Sequence, residues 1–203
     1  MPLTLRVWRF TDGRAGHEKQ TSGLVQGLRE SLPEMAGAGS SIECRDIPVA
    51  EFLRNPSVLW QDSGAAPDLL IGAGRRTHLP MARVRWHLGS RTVCLMRSTL
   101  PRFCYDLALV PEHDWLWSER KVLRTLGALG PSIPGAPSAE CGLILLGGEN
   151  DHFYWSDEEV CASVSAIVAQ NPRVHWQISD SPRSSKNLIS AVDRALHLSL
   201  IHI

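Results

Sequence analysis

The sequence has few of the features that mark membrane-spanning or nucleic-acid-binding proteins. No apolar run in its 203 residues approaches the roughly 20 residues of a membrane-spanning helix. The chain opens on strand-like residues with interleaved arginines, so we expect no secretory signal. Its 21 basic and 21 acidic side chains give zero net charge, which does not favour nucleic-acid binding through a basic surface.

Cysteine is also sparse, with five residues and no C-x-x-C pair. Each cysteine lies in or beside an apolar segment, which predicts buried, reduced thiols in a reducing, cytoplasmic compartment. No cysteine–histidine spacing is typical of zinc, so we expect no metal and no cofactor. The five are Cys44, Cys94, Cys104, Cys141 and Cys161.

The chain lacks the G-x-G-x-x-G and Walker A fingerprints, yet it opens on a strand, a glycine loop and a helix. Residues 5–10 predict the strand, and the apolar spacing from Thr21 to Leu32 predicts the helix. A connection of small residues is predicted from Pro33 to residue 41, and a short helix at residues 50–60 with Phe52, Leu53 and Leu59 facing inward. Gly13 and Gly16 would let a ligand approach the helix N-terminus, where phosphate or a polar sugar is favoured. The alternative is that the glycines only allow a tight turn. Asp12, Arg14, His17 and Glu18 add polar groups there.

A second strand and glycine loop follow at residues 68–74, ending in Gly74. Arg75 and Arg76 come next, ahead of a helix predicted from Pro80 to Leu88. Arginine is suited to bidentate contacts with phosphate or carboxylate. Positive charge opposes the dipole at a helix start, which favours an anionic ligand nearby, although a solvated pair is the alternative.

Residues 92–96 and 105–111 predict two more buried strands, and residues 122–129 a further strand or strand-turn. Glu112 and His113 come directly after the second of them. In a parallel sheet, groups past the carboxyl ends of strands face the ligand crevice. These side chains could therefore bind a hydroxyl or move a proton, or they could form a polar loop.

The best domain boundary is the Pro-, Gly- and Ser-rich stretch that ends near Glu140. We predict a domain at 1–130, a linker at 131–140 and a second domain at 141–203. The second domain shows a strand at 141–146, a turn with Gly147 and Gly148, and a helix to Gln170 that opens with a Ser156–Glu159 capping box. The inward residues of that helix are predicted to be Val160, Val164, Ile167 and Val168. A strand at 174–179, a loop carrying Arg183 and a helix from Asn187 follow.

The last residues show no helix cap and no further strand signal, so we expect a C-terminally truncated chain whose second sheet stops after two strands. The alternation of strands and helices predicts an α/β fold with mostly parallel sheets.

Four motifs in order resemble the "elongated mitochondria" fission family, whose bacterial members are described as nucleotide-sugar enzymes. They are residues 10–20 (FTDGRAGHEKQ), 68–77 (DLLIGAGRRT), 106–114 (DLALVPEHD), and LLGG at 145–148 with HFYW at 152–155. The resemblance covers residues 5–196. It implies a Rossmann-like parallel sheet domain followed by the start of a second Rossmann-like domain, in a GT-B-like arrangement.

The resemblance further implies transfer of a sugar from a nucleotide sugar to a cell-envelope-type acceptor, a sugar or a lipid-linked one, with peripheral membrane contact and no metal. His17 would be the catalytic base, with Asp12 beside it. The rest of the donor site would lie beyond residue 203, leaving this chain inactive. The expected ligand-binding residues are Gly13, Arg14, Gly16, Gly74, Arg75, Arg76, Glu112, His113, Gly147, Gly148 and Arg183.

Two other functions are open. A non-catalytic binding or scaffold protein could retain the fold, as the association with mitochondrial fission suggests. A sugar-nucleotide epimerase of the Rossmann type should carry G-x-G-x-x-G and Tyr-x-x-x-Lys. Neither is present, because position 109 is Leu and position 158 is Glu after the two tyrosines, Tyr105 and Tyr154. This function ranks last.

Overall fold

The computed structural model describes residues 2–56, 66–114, 120–131, 135, 138–149, 154–181, 183–196 and 200–201. The chain divides into two compact units, Met1–Ile133 and Pro134–Ile203. The linker predicted at 131–140 spans this division, and part of it lies outside the described residues.

The first unit is built on six parallel strands in the order β2-β1-β3-β4-β5-β6. β2 and β3 lie on opposite sides of β1, so the strand order reverses between β1 and β3. This Rossmann-like α/β sheet confirms the predicted fold class. The elements in chain order are β1 (Thr4–Thr11), α1 (Ala15–Ala36), β2 (Ser41–Pro48), α2 (Val49–Arg54), β3 (Leu69–Ala73), α3 (Arg75–Leu88), β4 (Arg91–Leu95), β5 (Leu107–Pro111) and β6 (Val122–Thr125).

Helices cover both faces of this sheet because its strands send apolar side chains to each side. Val7 of β1 and Ile71 of β3 pack with α1 on one face. Trp8 and Phe10, which alternate with Val7, pack on the other face with α2 and α3. Phe10 meets Phe52 edge to face, with ring centroids 5.7 Å apart.

Two helices extend beyond their predicted bounds, each across a proline. α1 runs through Pro33 to Ala36, although a loop was predicted from Pro33. α3 begins at Arg75 instead of Pro80, because Gly74 turns the chain there with φ +78°. Pro33 lies in the last turn of α1 and Pro80 in the second turn of α3, and each removes one backbone hydrogen bond from its helix.

The helix predicted at residues 50–60 is described only as the six-residue α2, and Leu59 lies outside the described residues. Phe52 is fully buried, as expected, but the prediction that Leu53 faces inward is wrong, since it is 61% exposed.

The second unit has a smaller parallel sheet in the order β7-β8-β9. Its elements are β7 (Cys141–Leu145), α4 (Asp157–Gln170), β8 (His175–Ser179), α5 (Lys186–Leu196) and β9 (Leu200–Ile201). β9 pairs with β8, so three strands are present where two were predicted. The core joins Leu146 and Ile178 to the two helices through Val164, Leu188 and Val192. The predicted inward Ile167 is instead 44% exposed.

Half of the predicted capping box is present. The Glu159 backbone N–H donates to Ser156 Oγ at 3.3 Å, so Ser156 is the N-cap of α4. The other half, from the Ser156 backbone N–H to the Glu159 side chain, is not present among the described hydrogen bonds. The Ser156 hydroxyl instead donates to Glu158 Oε2 at 3.0 Å.

All five cysteines are free thiols, and their burial is uneven. Cys94 and Cys104 are buried, whereas Cys141, predicted to be buried, is exposed at the start of β7. Within the described residues, no helix combines the length and apolar character needed to cross a bilayer.

Candidate active site

The candidate site lies at the carboxyl ends of β1 and β3, where the strand order reverses. In open parallel sheets, ligands bind at this switch point because the loops there diverge to either side. Asp12 and Gly13 follow β1, and Gly74 follows β3. α1 and α3 begin from these loops, so two helix N-termini start at the same edge of the sheet.

An acid–base dyad is present in the first loop. His17 Nδ1 lies 2.9 Å from Asp12 Oδ2, and Asp12 Oδ1 accepts the Arg14 backbone N–H at 3.2 Å. The Asp12 side chain is 1% exposed and that of His17 is 16% exposed. An ionised carboxylate only accepts hydrogen bonds, so it favours the tautomer with the proton on Nδ1. Nε2 then carries the free lone pair, and it bonds to nothing among the described residues.

The His17 imidazole ring occupies the space that a side chain at Gly74 would need. A methyl group added to Gly74 would lie 2.3 Å from His17 Cε1 and 2.7 Å from Nδ1. The backbone there has φ +78° and ψ 159°, a region that is essentially restricted to glycine. Gly74 therefore sets the position of His17, a role that the prediction of a ligand contact had not included.

Two backbone N–H groups of the first glycine loop, those of Gly13 and Arg14, are already bonded to carboxylates. The Gly13 N–H donates to Glu18 Oε1 at 3.1 Å, while Asp12 accepts from Arg14. Two carboxylates therefore lie beside the start of α1, and their negative charge favours a neutral hydroxyl ligand there over a phosphate. Glu18 was not among the predicted site residues, although an acid in the first turn of a helix was the available signal.

Arg14 and Gly16 have less defined places. Arg14 is exposed and forms the N-cap position of α1 without a side-chain cap. A methyl group on Gly16 would meet nothing within 4 Å, so packing does not require glycine there.

A cavity of about 700 Å³ adjoins the loop on the face covered by α2 and α3. Asp12, Gly13 and Glu18 lie along one side of it, and Arg76 supplies positive charge from α3. The remaining wall is mostly apolar. Arg75 is exposed in the same helical turn but does not line the cavity. The apolar lining residues are Pro48, Val49, Ala50, Leu53, Leu79 and Pro80.

Glu112 and His113 are not part of this site. They lie in an exposed 3-10 turn, Glu112–Asp114, after β5. β5 is three strands away from β1, which corresponds to about 14 Å at the usual spacing of parallel strands. They share the carboxyl edge of the sheet with His17, but they are too far along it to touch the same small group.

The glycine turn of the second unit is closed by the protein's own backbone. A methyl group on Gly148 would overlap the Arg183 carbonyl oxygen at 1.9 Å, and Ser184 Oγ donates to the Gly147 carbonyl at 2.6 Å. Arg183 also lines a cavity of about 320 Å³. That cavity contains the N-cap Ser156 and three acidic side chains, Glu149, Asp157 and Glu158.

One buried histidine was not predicted as a site residue. His78 of α3 is 1% exposed, and burial lowers the pKa of its side chain. Its Nδ1 accepts the Thr99 backbone N–H at 3.4 Å and lies 3.1 Å from the Thr99 hydroxyl, which leaves the proton on Nε2. Nε2 has no hydrogen-bond partner in the described structure. No pattern in the sequence distinguishes the buried His78 from a histidine exposed to solvent.

Across the described ranges, no group of three His, Cys, Asp or Glu side chains is arranged to hold a metal ion. No curated protein gives a match to the sequence. Among solved structures, S. aureus MnaA in complex with UDP is similar, with a TM-score of 0.50 and 10% identity over 98% of this chain and 68% of that one. A Listeria monocytogenes protein assigned as a UDP-N-acetylglucosamine 2-epimerase gives 0.51 and 12% over the same shares.

At such identities the likeness shows the fold alone, a GT-B-like pair of Rossmann-like units. The family is shown by sequence. The sequence model of the Mitochondrial fission ELM1 family matches residues 15–201. The matched range includes His17, the Gly74 loop and every described strand except β1. The chain belongs to the mitochondrial fission ELM1 family.

Proposed function

We propose that this protein takes part in metal-independent glycosyl transfer from a nucleotide sugar to a hydroxyl group of a cell-envelope-type acceptor, in the cytoplasm and at a membrane surface. The Asp12–His17 pair carries this proposal. A buried carboxylate that holds Nδ1 and leaves Nε2 without a bond among the described residues is the arrangement that a general base requires. His17 itself does not line the cavity of about 700 Å³, although its partner Asp12 does.

The proposed step uses this chain's own groups. His17 Nε2 takes the proton of the acceptor hydroxyl as its oxygen attacks the anomeric carbon of the donor. The bond between that carbon and the diphosphate oxygen breaks, and the nucleoside diphosphate leaves with the electron pair. Asp12 stabilises the imidazolium that forms, as a buried carboxylate does in hydrolytic triads. The carboxylates of Asp12 and Glu18 suit a neutral acceptor hydroxyl better than an anion.

We propose that the turn at Gly147 and Gly148, with Arg183, binds the diphosphate of a nucleotide sugar within the second unit. Arg183 offers a cation, and the starts of α4 and α5 add partial positive charge. Glu149, Asp157 and Glu158 line the same cavity and oppose an anionic ligand there, so Arg183 is the cation that must offset them. Asp157 is held in place by hydrogen bonds from Trp155 Nε1 at 2.9 Å and from the Ser185 hydroxyl.

A second candidate function is a non-catalytic binding protein that keeps the fold. Two observations favour it: the Gly13 N–H is already bonded to Glu18, and Gly148 is explained by close approach to the Arg183 backbone. The name of the family refers to mitochondrial fission, which suits recruitment of a protein partner.

The test combines binding and turnover. Thermal unfolding is measured with UDP-, GDP-, ADP- and CMP-sugars, since a ligand at a hundred times its dissociation constant stabilises the folded state by about 2.7 kcal/mol. Nucleoside diphosphate release is then followed with sugar and lipid-linked acceptors. We expect one nucleotide to stabilise the protein, and His17→Gln to abolish turnover while leaving that stabilisation intact. Stabilisation without turnover in the parent chain would agree instead with the expectation that the donor site extends past residue 203.

Arg183→Ala distinguishes the role of the second unit from that of the first. It should weaken donor binding without changing the His17 site. Arg75→Ala is the matched control, an exposed arginine outside both cavities. No stabilisation by any nucleotide, in a folded protein that binds a protein partner, would replace the transferase proposal by the scaffold one. Turnover retained in His17→Gln would remove His17 as the base.

A further inference from the structure

The outer face of α3 carries large apolar side chains in the open. Leu79 and Trp86 are each 68% exposed, and Arg76 and Arg83 are exposed between and beside them. Steps of three, four and three residues place these four side chains on one stripe of the helix. The opposite side of α3 packs Met81 and Val84 into the core. The helix therefore already has a buried apolar side, and Leu79 and Trp86 form a second, exposed one.

A neighbouring helix extends the same surface. Leu53 of α2 is 61% exposed, α2 packs against α3, and Leu53 and Leu79 line one cavity. We call Leu53, Arg76, Leu79, Arg83 and Trp86 the α2–α3 face. Isolated exposed leucines are common, but a cluster of large apolar side chains on adjoining helices marks an interaction surface.

The charge of this face points to the partner. α3 has four arginines and no acidic residue, in a protein whose net charge is zero. Arg85 is paired with Asp106, but Arg76 and Arg83 form no hydrogen bond or ion pair with any described residue. Arg76 also stands at the helix N-terminus, where a cation is disfavoured by the dipole. Uncompensated arginines beside tryptophan and leucine are complementary to an anionic surface with an apolar interior, which describes an acidic lipid bilayer.

We infer that the α2–α3 face docks on an anionic lipid surface, with Leu53, Leu79 and Trp86 entering the interface and Arg76 and Arg83 meeting lipid phosphates. The cavity that Leu53 and Leu79 line would then adjoin the lipid headgroups, and Asp12 and Glu18 line the same cavity. This deepens the proposed function, since it places the entry of a lipid-linked acceptor. It rests on that function only for the identity of the acceptor, because docking itself needs no turnover.

The experiment is flotation of the full chain with unilamellar vesicles of phosphatidylcholine alone or in an equal mixture with phosphatidylglycerol. We expect binding to the mixed vesicles, little binding to phosphatidylcholine, and weakening as salt rises, because screening shortens the reach of the arginine charges. Leu79→Ser with Trp86→Ser should lower the partition coefficient at least about tenfold through lost apolar burial. Arg83→Gln should lower it about fivefold.

Matched controls are Met35→Ser, an 84% exposed apolar residue on α1, and Arg173→Gln, an exposed arginine of the second unit. Both should bind vesicles as the parent does. The inference is overturned if anionic vesicles do not bind, if the Leu79/Trp86 variant binds unchanged, or if the controls lose as much. Binding of a protein through this face without vesicle binding would assign it to a protein partner instead. Nucleotide stabilisation in the same variants keeps the outcome separate from that of the proposed function.

Discussion

His17 and Asp12 are joined at 2.9 Å within one loop, and the carboxylate is almost completely buried while the imidazole keeps 16% of its side chain exposed. The buried partner therefore orients the exposed one. Asp12 Oδ2 bonds to His17 Nδ1, and Asp12 Oδ1 accepts the Arg14 backbone N–H. Because each oxygen has its own partner, the carboxylate cannot rotate freely.

Asp12→Asn should reverse the tautomer of His17. If the new amide nitrogen faces His17, Nδ1 must accept, and the proton moves to Nε2. If it faces the Arg14 N–H instead, two donors meet, which is the less favourable arrangement. Nitrogen NMR of labelled histidine should show the proton on Nδ1 in the parent and on Nε2 in the variant.

If the transferase proposal holds, the same variant should lower turnover by about 10² to 10⁴, the usual contribution of a general base. Asp114→Asn, which changes an exposed carboxylate after β5, is the control and should alter neither signal. An unchanged His17 tautomer in Asp12→Asn would contradict this account of the dyad.

Gly74→Ala should displace the His17 ring. The added methyl would lie 2.3 Å from Cε1, and the backbone conformation is one that alanine avoids, so we expect a loss of roughly 1–3 kcal/mol in the free energy of unfolding. Chemical denaturation gives the loss of stability, and the histidine spectrum reports the displacement.

Gly89→Ala is the comparison, because Gly89 also has a positive φ of 73° but nothing lies within 4 Å of an added methyl. It should cost about 1 kcal/mol and leave the His17 signals in place. Identical His17 spectra in the parent and in Gly74→Ala would show that the glycine does not set the ring position.

Ionisation of Asp106 should make the free energy of unfolding fall as the pH is lowered into the acid range. Burial alone would raise the pKa of its carboxyl, but hydrogen bonds from Arg85, the Thr92 backbone N–H and Arg91 outweigh it and hold the pKa below its ordinary value. A depressed folded-state pKa contributes stability that is present above the unfolded value of about 3.9 and is lost as pH falls through the folded value.

Asp106→Asn should therefore destabilise the protein by about 1–3 kcal/mol at pH 7, and this difference should shrink below about pH 4. Urea unfolding across that range measures it. Equal destabilisation at neutral and strongly acid pH would show that the loss comes from packing and not from ionisation.

The cysteines should react in an order set by burial. Burial raises the pKa of the Cys94 thiol to about 12, so it holds almost no thiolate at pH 8, and it is also inaccessible. Cys141 is exposed. Iodoacetamide with peptide mass mapping should label Cys141 first and Cys94 only after unfolding, and Cys141→Ser should remove the fast phase. Early labelling of Cys94 in the native state would contradict its burial.

The sequence allowed prediction of the elements more readily than of their contacts. The first strand and the loop at Asp12 could be predicted because alternating apolar residues and glycines influence the backbone within a few residues. The dyad could also be predicted, because both of its residues lie within one local segment. The inward placement of Leu53 and Ile167 failed, because the side of a helix that is buried depends on what packs there. Cys141 was misplaced for the same reason, since it lies on a sheet face that the described helices leave open.

The placement of the site residues needed the strand order. Gly74 follows a different strand from His17, and the two touch only because β1 and β3 are neighbours. The same order places Glu112 and His113 three strands away, although all these residues follow strand ends in the sequence. By itself, the sequence determined the α/β class, the glycine loops and the family, because these follow from local periodicity and motif. The tertiary structure alone decided which loops meet, which glycines make room for a neighbour and which apolar side chains remain outside, because those depend on packing between segments that are distant in the chain.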